Sequence, residues 1–323
     1  MSRNICVCLS FMEDKHQKLM EETAAKAGFS IRFFTPAQQA EAMEYLQDCE
    51  ILFGHNPDLL RAAPASLQWY CCAYAGVDPY CKDPTMFANP NCILTNSNCY
   101  GVTISEHVVM VLLMMMRKMT QYQQIVTERK WVNQLPIRSI RDSAITILGT
   151  GDIGINLAQR LHGMNAGKIT GLSRSGRPVE GFDEVLPISA LDEVLPSTSV
   201  LIMALPSTPE TIGILSRERI AMLPEDALVI NVGRGTAIDQ EALAEALNTE
   251  KIAGAALDVV VPEPLPQDHF LWNTKNLILT PHISGNMTLG YTRDRTVGLF
   301  CENLISYASG QPMASVVDRT LGY

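Results

Sequence analysis

The sequence predicts an α/β protein with two doubly wound parallel sheets, in which the second domain is inserted into the first. Apolar strand-like runs alternate with helical stretches along nearly the whole chain, as in parallel sheets covered by helices. A second such series begins near residue 143, and a helical segment after residue 286 closes the chain. The length of 323 residues suits about two domains of ~150 residues each.

The first series belongs to the first predicted domain, residues 1–100 together with 287–323. A helical pattern runs from Glu13 to Ala27, where Gly28 is expected to end it, and a second helix is predicted from Ala37 to Leu46. The predicted strands are NICVCLS, SIRFF, EILFG, LQWYCCAYAG and NCILTN.

An apolar helix opens the second predicted domain, residues 101–286. Thr103 and Glu106 match a capping box, so the segment TISEHVVMVLLMMMRKM is predicted to become helical at Thr103. Because this helix is apolar nearly all round, we expect it to be buried between domains or in a subunit interface. A ligand-binding role for its methionines is the alternative. His107 is predicted to be structural.

Six strand-like segments follow, with helices between them. They are SAITILGTG, KITGLS, TSVLIMALP, ALVINVG, IAGAALDVV and NLILTPH. The segment LGYTRDRTVGLFCENLISYASG is predicted to form the C-terminal helix.

Composition narrows the function classes. The net charge of −9 argues against nucleic acid as a partner, because such proteins present a basic face. The longest apolar run, Val108–Met116, is far shorter than the ~20 residues that span a bilayer, so no membrane partner is expected. The N-terminus reaches Glu13 too soon for a secretory signal. Nine cysteines without zinc-like spacing predict reduced thiols in the cytoplasm and no metal site; a redox role for Cys71 and Cys72 is the alternative.

A glycine fingerprint predicts a dinucleotide site. The pattern G-x-G-x-x-G follows the strand AITIL and opens a helical stretch that ends near His162. Its glycines permit a tight turn, and the helix N-terminus offers N–H groups to a pyrophosphate. The predicted contacts are Gly149, Thr150, Gly151, Asp152, Ile153 and Gly154.

The next strand ends in residues that favour NADP(H) over NAD(H). About 20 positions after the glycines, an NAD-binding protein usually has an acidic residue for the ribose hydroxyls. Here the chain has Ser173, Arg174 and Ser175, with Arg177 close behind, and these side chains suit a 2′-phosphate. NAD(H) is the second choice, and an exposed loop with incidental arginines is the structural alternative.

Three charged side chains follow three later strands. Arg234 follows ALVINVG, Glu263 lies in LDVVVPEPLP, and His282 follows NLILTP. Ligands of open parallel sheets bind beyond the carboxyl ends of the strands, so these residues are expected to converge near the glycine turn. Taken alone, Arg234 would suit a surface salt bridge and His282 a structural role.

The chain resembles the D-isomer-specific 2-hydroxyacid dehydrogenase family, in particular its glyoxylate/hydroxypyruvate reductase-like members. The resemblance rests on the glycine fingerprint and the ordered motifs INVGRG, ALDVVVPEPLP and LTPHISG. It implies two Rossmann-like domains, with the cofactor domain inserted into a flavodoxin-like substrate domain. It also implies a homodimer joined largely through the cofactor domains.

The same resemblance implies roles for individual residues. Arg234, Glu263 and His282 would form the catalytic triad. The stretch AYAGVDPY is similar to the family's substrate-carboxylate loop, so Ala75, Gly76 and Val77 would bind substrate together with Arg234 and His282. Asp258 would bond to the nicotinamide carboxamide. The other implied cofactor contacts are Leu205, Pro206, Thr208, Thr211, Val232, Gly233 and Gly285, and Tyr74 with residues 96–100 would shape the pocket.

These residue types suit reversible reduction of a small 2-keto acid to the D-2-hydroxy acid. Histidine can donate the proton to the carbonyl oxygen, and a carboxylate on its other ring nitrogen orients the imidazole and favours its protonated form. Arginine can bind the substrate carboxylate and polarise the carbonyl. The predicted function is therefore an NADP-preferring oxidoreductase. A dinucleotide-binding corepressor or scaffold is the alternative, and Glu263 argues against formate dehydrogenase, which has glutamine there.

Overall fold

Two parallel sheets organise the chain. The structure is a computed structural model that describes residues 3–322, and for residue 84 it describes the backbone alone. The chain divides into two compact units, the first being Met1–Tyr100 with Asn286–Tyr323 and the second being Gly101–Gly285. The predicted fold class is confirmed.

The first unit contains a five-stranded sheet in the order β2-β1-β3-β4-β5, with every neighbouring pair parallel. Its strands are β1 (Asn4–Cys8), β2 (Ser30–Phe34), β3 (Ile51–Gly54), β4 (Trp69–Cys72) and β5 (Ile93–Thr95). The helices of its N-terminal part are α1 (Asp14–Ala27), α2 (Gln39–Leu46), α3 (Pro57–Arg61) and α4 (Asp78–Lys82), with 3₁₀ turns at Pro36–Gln38 and Pro84–Met86. Gly28 ends α1 with φ 77°, as predicted.

The second unit contains a seven-stranded parallel sheet in the order β12-β11-β10-β9-β6-β7-β8. Its helices are α5 (Gly101–Met116), α6 (Met119–Thr127), α7 (Asp152–Gly163), α8 (Leu191–Val194), α9 (Arg217–Met222) and α10 (Gln240–Asn248). Its strands are β6 (Ile145–Leu148), β7 (Ile169–Ser173), β8 (Glu184–Pro187), β9 (Val200–Met203), β10 (Leu228–Asn231), β11 (Gly254–Leu257) and β12 (Leu277–Leu279). Short 3₁₀ helices lie at Ile188–Ala190, Leu195–Ser197, Gly235–Ala237 and Phe270–Asn273.

The chain order of this second sheet reverses between β6 and β9, which are hydrogen-bonded neighbours. Strands β7 and β8 follow β6 on one side, whereas β9 to β12 follow in order on the other. Doubly wound sheets bind ligands in the crevice at such a reversal. The chain then returns to the first unit through α11 (Gly290–Ala308), whose Phe300 ring stacks on Phe53 with centroids 4.3 Å apart.

Several details of the predicted secondary structure were wrong. A seventh strand, β8, was not predicted, because its run is short, half-buried and ends in proline at the sheet edge. Helix α5 begins at Gly101, and Thr103 lies inside its first turn. The cap comes from far along the chain, since Asp152 Oδ2 accepts a hydrogen bond of 2.6 Å from the Gly101 N–H.

Helix α5 is buried on one face only. Val108 and Leu112 are fully buried, whereas Met110 is exposed. The helix also ends earlier than predicted, because Lys118 takes a left-handed conformation (φ 55°) and α6 starts after it.

All nine cysteines are free thiols. Burial raises the pKa of Cys72 to about 12 and raises that of Cys71 further, so neither is a reactive thiolate, and the redox alternative is not supported. Among the described residues, no helix has both the length and the apolar content for a membrane span.

Candidate active site

Four loops of the second unit leave the same edge of its sheet. Parallel pairing joins β10 to β11 and β11 to β12 and carries the sheet across to β6, so the carboxyl ends of these strands lie along one edge. Arg234 comes three residues after β10, and Asp258 directly follows β11. His282 comes three residues after β12, and the glycine turn directly follows β6.

His282 and Glu263 form a hydrogen-bonded pair in these loops. Nδ1 of His282 lies 2.8 Å from Oε2 of Glu263. The second carboxylate oxygen, Oε1, accepts a hydrogen bond of 3.0 Å from the Val260 N–H, so the loop itself fixes the carboxylate. Because the carboxylate can only accept, Nδ1 carries the proton and Nε2 is directed away from the pair. Both side chains are partly exposed, so the ring is accessible to a small molecule.

The backbone of His282 is held by Asp258. His282 has φ 54°, in the left-handed region, and its N–H donates to the Asp258 carbonyl at 2.9 Å and to the Thr280 carbonyl at 3.0 Å. The Asp258 carboxylate accepts from the N–H groups of Ile283 and Ser284, each at 2.9 Å, and from the Thr280 hydroxyl at 2.5 Å.

The Asp258 carboxylate is a buried charge that holds the loop after β12, and only 3 % of the residue is exposed. Burial alone would raise the pKa of Asp258, but the hydrogen bonds from Ser284, Thr280 and Ile283 bring it below its ordinary value. The side chain and the backbone N–H of Ser284, the Thr280 hydroxyl and the Ile283 N–H all donate to this carboxylate, so its two oxygens, with about four acceptor positions, are well satisfied.

Arg234 lies between Gly233 and Gly235, two positions where neighbouring backbone atoms leave no room for a Cβ. A Cβ at Gly233 would lie 2.6 Å from the Leu205 carbonyl oxygen, and one at Gly235 would lie 2.4 Å from Val260. The Arg234 guanidinium donates to the Gly233 carbonyl at 2.7 Å, and the Asn231 amide donates to the Arg234 carbonyl at 2.9 Å. These contacts hold the half-buried guanidinium at the strand end.

The glycine turn has the shape that a pyrophosphate requires. Gly149 has φ 103°, and a Cβ at Gly154 would lie 2.1 Å from the Gly149 carbonyl oxygen. In contrast, a Cβ at Gly151 would meet nothing within 4 Å, so the N-terminus of α7 faces open space. The residues present therefore fit the diphosphate of a dinucleotide. The Asp152 side chain is bonded to Gly101, so Asp152 can serve a phosphate only through its backbone.

The end of β7 presents Ser173, Arg174 and Ser175 as a short loop. Ser173 Oγ accepts from the Gly176 N–H at 3.1 Å, and Arg174 is exposed. One carboxylate near this loop was missed by the sequence analysis. The pKa of Glu210 lies below its ordinary value, chiefly through a hydrogen bond with Thr208 and also through the charge of Arg174. Glu210 lies 36 positions after Arg174, so no local pattern could have pointed to it.

The remaining predicted cofactor contacts lie in the loops after β9, β10 and β12. Thr211 donates to the Pro206 carbonyl at 2.6 Å and accepts from the Thr208 N–H at 2.8 Å, so its hydroxyl supports the loop. Leu205 and Val232 are buried, Gly233 directly follows Val232, and Gly285 is half-buried.

The predicted substrate loop lies in the first unit, after β4. Asn96 donates to the Ala75 carbonyl at 2.7 Å, Gly76 follows, and Val77 is the residue before α4. The Tyr74 ring beside this loop lies 4.6 Å from the ring of His55, a neighbour that the sequence analysis did not identify.

Comparisons with known proteins agree with this architecture. Residues 109–284 match the family model described as D-isomer specific 2-hydroxyacid dehydrogenase, NAD binding domain. A glyoxylate/hydroxypyruvate reductase A of Salmonella newport is 31% identical over 224 residues, which are 69% of this chain and 70% of that protein.

Solved structures extend the likeness to the whole chain. A D-isomer specific 2-hydroxyacid dehydrogenase family protein from Aeromonas salmonicida has a TM-score of 0.84 and 32% identity, covering 99% of this chain and all of that one. An NADPH-dependent glyoxylate/hydroxypyruvate reductase from Sinorhizobium meliloti, solved with NADP and sulfate, has a TM-score of 0.82 and 27% identity, with full coverage of both chains.

The fold, the glycine turn and these similarities identify the protein as an oxidoreductase with a nicotinamide-dinucleotide-binding domain. The chain belongs to the D-isomer-specific 2-hydroxyacid dehydrogenase family, as its motifs predicted.

Proposed function

We propose that the protein reduces a small 2-keto acid, such as glyoxylate or hydroxypyruvate, to the D-2-hydroxy acid with NADPH, and catalyses the reverse oxidation. The observation that carries this proposal is the 2.8 Å pair of His282 and Glu263 on the sheet edge that also bears the glycine turn. A titratable ring, a fixed carboxylate and an arginine suit reduction of a carbonyl next to a carboxylate.

Each protein group then has one task. A reduced nicotinamide, when bound, would supply the hydride that the carbonyl carbon accepts. His282, in its protonated form, donates the Nε2 proton to the carbonyl oxygen, so the alcohol forms without a free alkoxide. Glu263 holds the ring through Nδ1 and keeps Nε2 directed at the substrate. Arg234 binds the substrate carboxylate and stabilises the charge that develops on the oxygen.

Three groups of residues are proposed to hold the cofactor. The backbone of Gly149–Gly154 would bind the diphosphate, and the loop Ser173–Ser175 would bind the 2′-phosphate of NADP(H) in preference to NAD(H). Asp258 would bond to the nicotinamide carboxamide. The loops that carry Leu205–Thr211, Val232, Gly233 and Gly285 would line the groove. We also propose that Ala75, Gly76 and Val77 contribute backbone groups to the substrate carboxylate.

A substrate panel tests this function. The purified chain would be assayed with glyoxylate, hydroxypyruvate, pyruvate and phenylpyruvate, each with NADPH and with NADH, and the product would be resolved on a chiral column. We expect turnover of at least one small 2-keto acid, a preference for NADPH and a product of the D configuration. Tight NADPH binding without turnover of any acid would instead favour the corepressor or scaffold function.

A homodimer is proposed from an apolar surface on the second unit. The segment from α6 to residue 137 exposes 95 % of Trp131, 68 % of Val126 and 50 % of Ile137. Clustered exposed apolar side chains mark an interaction surface. Light scattering should give twice the chain mass, and Trp131→Glu should give a monomer, whereas Leu19→Glu at an exposed position of α1 should leave the mass unchanged.

The nine free thiols suggest a reducing compartment, for which we propose the cytoplasm.

A further inference from the structure

The backbone of His282 is in a conformation that the residue does not favour by itself. Its φ of 54° lies in the left-handed region, where a side chain with a Cβ is disfavoured. Such a residue keeps this conformation only when its neighbours hold it from several directions. The surrounding hydrogen bonds therefore decide where the imidazole is directed.

Asp258 provides that restraint on both sides of His282. Its carbonyl accepts from the His282 N–H, and its carboxylate accepts from the next two N–H groups, those of Ile283 and Ser284. One buried residue thus holds three successive backbone donors, each at 2.9 Å. A small rotation of the carboxylate would move all of residues 282–284.

The carboxylate in turn is held by the side chains of Ser284 and Thr280, and the Thr280 hydroxyl also contacts His107. The Thr280 hydroxyl lies 2.5 Å from Asp258 Oδ1, and since the carboxylate can only accept, the hydroxyl donates its single proton there. Nε2 of His107 lies 3.4 Å from the same hydroxyl oxygen, which has only acceptor capacity left, so His107 donates. The contacts form one directed chain from α5 to the His282 loop.

We propose that Thr280 and His107 are positioning residues which, through the Asp258 carboxylate, fix the backbone of His282 and direct its ring. This inference rests on the proposed proton-donor role of His282. It also replaces the purely structural role predicted for His107 with a functional one. Neither residue is proposed to touch the substrate.

The test compares variants that remove a hydrogen bond with variants that keep it. Thr280→Val removes the hydroxyl at nearly constant shape, and Thr280→Ser retains it. His107→Leu removes the donor, and His107→Gln keeps an N–H at a similar reach. For the full-length protein, kcat and KM for glyoxylate, NADPH affinity and the ¹⁵N-detected imidazole signals of His282 would be measured. His282→Gln assigns those signals by their loss.

We expect Thr280→Val to lower kcat by about 10- to 100-fold, because small displacements of a reacting group cost about that much. NADPH affinity should stay within about twofold, and the signal of the Nδ1 proton bonded to Glu263 should shift or disappear. His107→Leu should act in the same direction but more weakly. Thr280→Ser and His107→Gln should restore both kcat and the imidazole signals.

Three results would overturn the inference. The first is a Thr280→Val protein with wild-type kcat and unchanged His282 signals. The second is a Thr280→Ser protein as impaired as Thr280→Val, and the third is an equal loss of NADPH affinity and kcat, which would place the network in cofactor binding. If Thr280→Val fails to fold, His107→Leu is compared with His107→Gln in the same measurements. If no 2-keto acid is turned over by any variant, the proposed function fails, whereas the imidazole signals still decide whether the network positions the ring.

Discussion

Nδ1 of His282 lies 2.8 Å from Oε2 of Glu263, although the two residues are 19 positions apart and leave different strands. The pairing occupies one ring nitrogen and leaves the other for proton transfer. Because the Val260 N–H also fixes the carboxylate, the direction of the ring is set before any substrate arrives. The proposed chemistry depends on this relationship.

Replacing the histidine should remove turnover and spare cofactor binding. We expect His282→Gln to lower kcat by about 10²- to 10⁴-fold, the usual contribution of a general acid, with NADPH affinity nearly unchanged. Glu263→Gln should cause a smaller loss, since its carbonyl oxygen can still accept from Nδ1. Steady-state kinetics and fluorescence titration of NADPH measure both. The control is His162→Gln, at an exposed position near the end of α7; a wild-type rate in His282→Gln would refute the proton role.

Arg234 should not tolerate a lysine. A planar guanidinium binds a carboxylate with two parallel hydrogen bonds, which an ammonium group cannot reproduce. Arg234→Lys is therefore expected to lower kcat/KM for glyoxylate by about 10²-fold. The matched control is Arg217→Lys, since the Arg217 side chain is exposed and pairs with Glu245. Equal kcat/KM in the two variants would show that Arg234 does not bind the substrate.

Arg174 should distinguish the two nicotinamide cofactors. Arg174→Ala is expected to weaken NADPH by about tenfold or more, since charge-assisted hydrogen bonds to a phosphate are strong, while NADH changes little. Fluorescence titration with each cofactor provides the comparison within one protein. If both affinities fell by the same factor, Arg174 would not contact the 2′-phosphate.

Glu210 should weaken the proposed contact between Arg174 and the 2′-phosphate. The pKa of Glu210 is lowered chiefly by its hydrogen bond with Thr208 and to a smaller extent by the charge of Arg174, so its carboxylate is expected to compete with the proposed 2′-phosphate for the guanidinium. We expect Glu210→Gln to tighten NADPH binding by about two- to fivefold at low salt, with a smaller gain at high salt because exposed charges are screened. Unchanged or weaker NADPH binding at low salt would contradict the competition.

Two glycines of α7, Gly154 at the turn and Gly163 at the end of the helix, allow a matched test of the packing at the glycine turn. A Cβ at Gly154 would lie 2.1 Å from the Gly149 carbonyl oxygen, so Gly154→Ala should destabilise the protein by about 1–3 kcal/mol and weaken NADPH. A Cβ at Gly163, in the same helix, meets nothing within 4 Å, so Gly163→Ala should keep or raise stability. Urea unfolding measures both, and a Gly154→Ala protein as stable as Gly163→Ala would exclude the predicted clash.

The sequence predicted those parts of the site that depend on regular sheet geometry. Parallel strands bring their carboxyl ends to one edge, so a charged residue directly after a buried strand can be placed without coordinates, as for Arg234 and His282. The glycine turn was predictable because its spacing reflects local steric limits.

The parts that the sequence did not predict depend on contacts between distant residues. The start of α5 was misplaced because its cap, Asp152, lies 51 positions away. The bond between His107 and Thr280 spans 173 positions, and although Thr280 lies in the LTPHISG motif, nothing in that motif points to a partner in α5. Strand β8 was missed because a short, half-buried edge strand has little of the apolar run that identifies its neighbours.

The bond between Gly101 and Asp152 has a mechanical consequence. Gly101 is the first residue of the second unit, and Asp152 is the first residue of the helix that follows the glycine turn. The first residue of the second unit is therefore tied to the helix that opens at the glycine turn. Because α5 also packs along α7, the start of α5 and the glycine turn are expected to move together.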